Sequence, residues 1–246
     1  HYSVPMSLVQ RSAAIPTAFG RTLFPRLSSL SGDAAHALGT RALSMMAFGF
    51  GAICAPAIIL SHTFFRYWIG ADFAAPAAPV AQLLFPGMWM AALSLVGFTL
   101  LQSQGRADLT GKVAIIDALP CIAIFWILTT TFGIVGAAAA WTVRCGVETI
   151  VILWLAGMKR GDFLRLLPPP ALLAASLIVA RVLGSNPAIT FPVAVFMGAM
   201  SFFLGYSISE DWRSLTLAQI NRARVFLSNL TNRVRRSPSV KTSVQK

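Results

Sequence analysis

Long apolar runs separated by short polar connections dominate the chain. Runs of this length match a helix that crosses a hydrocarbon core of about 30 Å at about 1.5 Å per residue. Because the runs are continuous rather than alternating at every second residue, they indicate helices and not strands. The pattern predicts seven membrane spans, at about residues 3–25, 42–65, 78–103, 113–132, 134–156, 170–183 and 188–208.

The composition supports the same class. Hydrophobic residues make up 56% of the chain and charged residues only 11%, which excludes an ordinary soluble domain. The predicted fold class is therefore all-α, a polytopic membrane helix bundle. A basic tail over residues 209–246 follows the last span and is predicted to be cytoplasmic.

Positive charge alternates from one connection to the next. Fifteen of the 20 Lys and Arg residues lie in the odd-numbered connections and the tail, and one, Arg66, lies in an even-numbered connection. Cationic loops stay in the cytoplasm, so the odd connections and the C-terminus are predicted to lie there. The net charge of +12 is then explained without a nucleic-acid partner. Because His1 would lie outside and the span count is odd, further sequence is expected before His1.

Six charged residues fall inside the predicted spans. Each costs roughly 2.5 to 3.5 kcal/mol near the bilayer centre, so such residues usually face a bundle interior or a wet cavity. They are the main functional candidates: Arg11, Arg21, Asp117, Arg144, Glu148 and Arg181. Arg181, near the outer end of its span, is expected to reach the membrane surface.

The first span carries a polar strip. Its members follow a 4-3-4-3-4 spacing, which puts them on one side of a helix, and Arg11 lies beside them. A guanidinium group binds phosphate through two parallel hydrogen bonds. Alternatively, Arg21 extends to the cytoplasmic surface beside Arg26. Pro5, Pro16 and Gly20 allow this helix to bend. The polar strip comprises Ser3, Ser7, Gln10, Ala14, Thr17 and Arg21.

The other charges leave two possibilities open. Arg144 and Glu148 are four residues apart on one helix face, which fits either an internal ion pair or a binding role. Asp117 is a candidate for binding a proton or Na⁺ that drives transport, or for pairing with an arginine from another helix.

No catalytic or metal-binding motif is present. The chain has no G-x-S-x-G, Walker A or H-E-x-x-H sequence, and these are the motifs that carry hydrolytic, nucleotide and zinc chemistry. Cys54, Cys121 and Cys145 are expected to be small buried residues. We therefore expect no enzyme activity, no metal and no cofactor.

Five segments in order resemble the C-terminal half of polysaccharide flippases, the O-antigen-type exporters of the MOP superfamily. This superfamily also contains the MATE multidrug exporters and the lipid II flippases. The resemblance covers about Tyr2–Trp154. It rests on HYSVPMSLVQRSAAIP, LFPRLSSL, YWIGADFAAPAAPVAQLL, LLQSQGRADLTGK and FGIVGAAAAWTVR.

This resemblance implies a two-lobed bundle around a partly cationic cavity, of which this chain would be the second lobe. It implies transport of a polyprenyl-pyrophosphate-linked oligosaccharide across the bacterial inner membrane by alternating access. The implied partners are that cargo, membrane lipids and a missing N-terminal lobe. Arg11 and Arg21 match the cationic cavity lining of the family, and Arg144 is a third candidate for cargo binding.

Three alternatives remain. A MATE-type antiporter for cations would need an acidic cavity, whereas the spans carry four arginines against one Asp and one Glu. A membrane glycan polymerase or ligase would need a sizeable outer loop, and the predicted outer loops are short. A structural subunit without transport activity of its own is the third alternative.

Overall fold

The computed structural model describes residues 2–183 and 186–208. The predicted tail, residues 209–246, lies outside the described residues. The described part is helical and contains no strand, which confirms the all-α prediction. Its eight helices are α1 (Ser3–Ser12), α2 (Ala14–Ser28), α3 (Gly32–Trp68), α4 (Ala71–Ser103), α5 (Ala107–Leu155), α6 (Arg160–Arg165), α7 (Pro168–Val182) and α8 (Pro187–Ile208).

Five segments of the described part are long and apolar enough to cross a membrane. They are α3, α4, α5, α6 together with α7, and α8. α5 covers the residues of two predicted spans. α1 and α2 cover the residues of the first predicted span, which is not among these five segments and stays a prediction. The polytopic bundle is therefore confirmed. The helix starts differ from the prediction, since α3 begins ten residues before residue 42 and α4 seven residues before residue 78.

A sharp break at Gly133 divides α5 into a first arm (residues 107–132) and a second arm (residues 134–155). Gly133 has φ 59° and ψ −136°, a left-handed conformation that glycine adopts without steric cost. Close by, a Cβ atom added to Gly136 would collide with the carbonyl oxygen of Leu128. The chain thus turns back tightly on itself, at the position where the boundary between the fourth and fifth spans is predicted.

The first predicted span is two helices rather than one. Pro16 has no N–H group and so cannot donate to the carbonyl of Ser12. The helix ends at Ser12, and Ala13 donates its N–H to Gln10 over 3.1 Å, in the tighter spacing of a helix end. The break therefore arises three residues before Pro16, one of the residues expected to bend the span.

α3 and α4 form the centre of the bundle. α4 packs against α1, α2, α3 and α5, and α7 and α8 pack against α3. Polar groups join these helices across their buried faces: Trp89 donates its indole N–H to the carbonyl of Ala47 at 2.8 Å, and Ser201 donates to the carbonyl of Phe48 at 3.0 Å. These hydrogen bonds satisfy polar groups that the membrane cannot solvate.

The connections gather at two ends of the bundle. His36 Nε2 lies 3.6 Å from Asp162 Oδ2, which joins the first connection to the fifth. Arg106 in the third connection donates to the carbonyl of Leu155 at 3.3 Å. At the other end, the hydroxyls of Thr63 and Thr190 are 3.4 Å apart. Odd connections thus share one end, hereafter the basic end. That this end is cytoplasmic remains a prediction.

Candidate functional site

The polar strip is exposed along its whole length, and Arg11 beside it is exposed as well. The opposite side of these helices is buried, at Val9 in α1 and at Leu23 and Leu27 in α2. At Gly20, a Cβ atom would lie 3.6 Å from both Leu95 and Thr99 of α4. The strip therefore points away from α4, into space that the described residues leave open.

Arg11 and Arg21 carry charges without a partner in the described part of the chain. Neither takes part in an ion pair or a hydrogen bond with residues 2–183 or 186–208. Arg11 lies eight residues after the start of α1, which is about 12 Å along a helix axis. In a first span that crosses the membrane, as the sequence predicts, hydrocarbon would penalise a bare guanidinium group at that depth strongly, and this face would be suited to water or to a polar ligand.

Three charged side chains come together on the two arms of α5. Arg144 Nε donates to Asp117 Oδ2 at 2.8 Å, and Arg144 Nη2 lies 3.7 Å from Glu148 Oε2. The side chains of Asp117 and Glu148 are 14% and 20% exposed, and that of Arg144 is 37% exposed. Both pairings that the sequence allowed are present, one within the second arm and one across the hairpin.

This cluster gives Arg144 a different environment from Arg11 and Arg21. Two carboxylates already match its charge, which leaves little for an added phosphate. A cation brought to Asp117 or Glu148 would likewise compete with the guanidinium group of Arg144. Cargo binding by Arg144 and ion coupling by the two acids stay predictions, and the geometry favours a structural role for the set.

Two threonines position the second arm of α5 against α4. They were not singled out in the sequence analysis. Thr142 Oγ1 lies 2.6 Å from the carbonyl oxygen of Leu83, and Thr149 Oγ1 lies 2.7 Å from that of Met90. Each hydroxyl shares its one proton with a carbonyl of its own helix, Ala138 or Cys145. The two threonines lie seven residues apart and so on the same helix face, which turns toward α4. Their spacing is a signal that could have located this contact. Arg144, 200° around the helix from Thr142, faces the first arm instead.

The remaining candidates are isolated. Arg181 is exposed in the last turn of α7 and has no ion pair within the described ranges; its reach to the membrane surface stays a prediction. Cys54 and Cys145 are buried as expected, and Cys121 is half-buried. Among the described residues, no group of His, Cys, Asp and Glu is arranged to hold a metal ion.

The chain is similar to the "Putative O-antigen transporter" of Shigella flexneri, at 25% identity over 158 residues. The match covers 63% of this chain and 37% of that protein, so the chain spans little more than a third of its relative's length. No family model matches the chain, and no solved structure matches it. The resemblance to O-antigen-type flippases is thereby confirmed, and the apolar helices agree with a multi-pass membrane protein.

Proposed function

We propose that this chain forms one lobe of a transporter that moves a lipid-linked oligosaccharide across the bacterial inner membrane for surface polysaccharide biosynthesis. The observation that carries this proposal is the exposed polar strip, along which Arg11 and Arg21 have no partner among the described residues while the other side of the same helices is packed. The similarity to an O-antigen transporter supports it.

The strip suits the anionic part of such a cargo. Two guanidinium groups supply the charge and the forked hydrogen bonds that a pyrophosphate accepts. The hydroxyl and amide groups of Ser3, Ser7, Gln10 and Thr17 provide neutral hydrogen-bonding partners for sugars. The polyprenyl chain would remain in the bilayer while the strip forms one wall of a water-filled cavity. An N-terminal lobe would supply the opposite wall.

The transport step follows from this arrangement. Two lobes that rock about a central site open it to one side of the membrane and then to the other. In this proposal Arg11 and Arg21 bind the pyrophosphate while the two lobes move from one orientation to the other. The Asp117–Arg144–Glu148 cluster joins the two arms of α5, so that the hairpin moves as one body.

Substitution of Arg11 tests the proposal. Charge-assisted hydrogen bonds contribute about 1.5–3 kcal/mol, so Arg11→Ala should weaken cargo binding by roughly ten- to a hundredfold and abolish export. Arg11→Lys should retain part of the activity, since the charge remains and the fork is lost. The measurement is surface polysaccharide in cells that depend on the complete transporter.

Arg181→Ala is the matched control, because Arg181 is also an exposed arginine without an ion pair among the described residues. It should export normally. Normal export by Arg11→Ala and Arg21→Ala, with unchanged protein in the membrane, would contradict the assignment. Loss of drug resistance with intact polysaccharide export would instead point to the cation antiporter.

A further inference from the structure

An apolar cavity of about 610 Å³ opens on the side of the bundle, between α4, the second arm of α5, α6 and the start of α7. Pockets that bind small molecules have volumes of about 300–1,000 Å³, so this cavity is large enough for part of a lipid. Its walls are almost wholly apolar and include Trp89, Leu93, Gly146, Leu153, Phe163 and Leu166.

A positively charged residue, Arg160, lies at the edge of this apolar cavity. The nonpolar part of Arg160 lines it, since the walls carry almost no polar surface, and the residue makes no ion pair or hydrogen bond with any residue that the structure describes. The nearest acid in sequence, Asp162, is already engaged: it accepts the backbone N–H of Lys159 at 2.9 Å and lies 3.6 Å from His36. Among the described residues, no carboxylate engages the guanidinium group of Arg160, which leaves it available to an added anion.

The position of Arg160 fits a lipid headgroup. The residue lies in the fifth connection, at the basic end of the bundle, where a membrane protein meets the phosphate layer. Exposed Ile150, Leu164 and Leu167 also line the cavity and belong at the edge of the hydrocarbon. An apolar chamber with a cation at the headgroup level complements a molecule that has an acyl chain below a phosphate.

The cavity lies away from the polar strip. Leu93 of α4 lines the cavity, whereas Leu95 and Thr99 of α4 approach Gly20 of α2. Leu93 and Leu95 point about 200° apart around a helix. The cavity and the strip thus occupy opposite sides of α4, which argues against the transported cargo as the occupant and for a lipid of the surrounding membrane.

We propose that this cavity binds one anionic phospholipid, with an acyl chain among the walls and the phosphate group at Arg160. The bound lipid joins α4, α5 and α7 on the side of the bundle away from the strip. The site is independent of the proposed transport function, because it would exist in any membrane protein with this packing.

The test uses the complete chain in phosphatidylcholine vesicles that contain a photoreactive phosphatidylglycerol, with the reactive group on its acyl chain. After illumination, mass spectrometry of peptides locates the attached lipid. We expect attachment concentrated on the second arm of α5 and on residues 160–170. A phosphatidylcholine probe with the same acyl chain should attach there less.

Two matched pairs of variants separate the headgroup from the chain. Arg160→Gln should lower phosphatidylglycerol attachment about fivefold, which is the effect of one cation near a headgroup. The control is Arg165→Gln, which should leave attachment unchanged because Arg165 does not line the cavity.

Ile150→Trp should block the mouth of the cavity for both probes. The control is Val147→Trp, which should not block it, because Val147 is exposed on the same helix outside the cavity lining. Each variant is first shown to elute from a size-exclusion column as the parent does.

Three results would overturn the proposal. Equal attachment of the two probes would show that the headgroup is not recognised. Attachment spread evenly over the exposed helix surfaces would show that the cavity is not a site. Attachment of a photoreactive polyprenyl phosphate in place of phosphatidylglycerol would assign the cavity to the cargo.

Discussion

At the scale of single residues, the charges within the spans fall into two kinds. Arg144 is matched by Asp117 and Glu148, whereas Arg11 and Arg21 meet no partner in the described part of the chain. In the cluster, the opposite charges compensate one another, and removing one charged side chain leaves the remaining charges without compensation. Unmatched cations on an exposed face are suited to a ligand.

Arg144→Gln should therefore destabilise the protein. The substitution leaves the carboxylates of Asp117 and Glu148 without their cation, and uncompensated groups of this kind cost about 1–3 kcal/mol or more. Thermal unfolding in detergent micelles measures the loss, with Arg181→Gln as a control that should unfold like the parent.

The double variant Asp117→Asn with Arg144→Gln should unfold at a higher temperature than Arg144→Gln alone, since one bare charge is removed with its partner. A single variant as stable as the parent would contradict a structural role for the cluster.

The sequence predicted part of this arrangement. The spacing of Arg144 and Glu148 places them on one helix face whatever the fold. The contact with Asp117 spans 27 residues of chain and depends on the angle of the hairpin, which no local pattern specifies. The sequence therefore predicted that an arginine from another helix could pair with Asp117, but it did not identify that arginine as Arg144.

At the scale of elements, glycine and proline decide where the long helices break. Gly133 turns the two arms of α5 back on each other, and the missing N–H of Pro16 ends α1 at Ser12. The first break was predictable because two apolar runs meet there. The starts of α3 and α4 were not predictable from hydropathy. Hydropathy marks only the apolar part of a helix, and the backbone hydrogen bonding of α3 and α4 begins in more polar residues before that part.

Gly136→Ala should disrupt the α5 hairpin. Its Cβ atom would collide with the carbonyl oxygen of Leu128, which is backbone and cannot rotate away, and such overpacking costs about 1–3 kcal/mol. Gly111→Ala is the matched control, since nothing lies within 4 Å of its added Cβ atom; it should be neutral or raise stability by up to about 1 kcal/mol. Unfolding temperatures compare the two, and equal values would contradict the tight turn.

At the scale of the whole molecule, the bundle has a basic end and a charge-poor end. The contacts between His36 and Asp162 and between Arg106 and Leu155 gather the odd connections together. The alternation of charge in the sequence predicted this grouping. It did not predict the lateral cavity, which depends on how α6 and α7 pack against α4 and α5.

Single cysteines test which end is cytoplasmic, in a variant whose three native cysteines are replaced. Ser31→Cys and Gln104→Cys, both in odd connections, should react with an impermeant thiol reagent only after the membrane is permeabilised. Ala71→Cys, at the start of α4, should react in intact cells. The reverse pattern would contradict the predicted orientation.

The central claim is that the polar strip faces water inside the membrane. The most direct measurement is the reaction rate of cysteines with a water-soluble maleimide. The strip is probed at Gln10→Cys and Thr17→Cys, and the control is Val195→Cys, which is exposed and apolar in α8. The strip positions should react quickly, and Val195→Cys should react slowly because lipid would cover it. Equal rates, or faster reaction at Val195→Cys, would contradict the account.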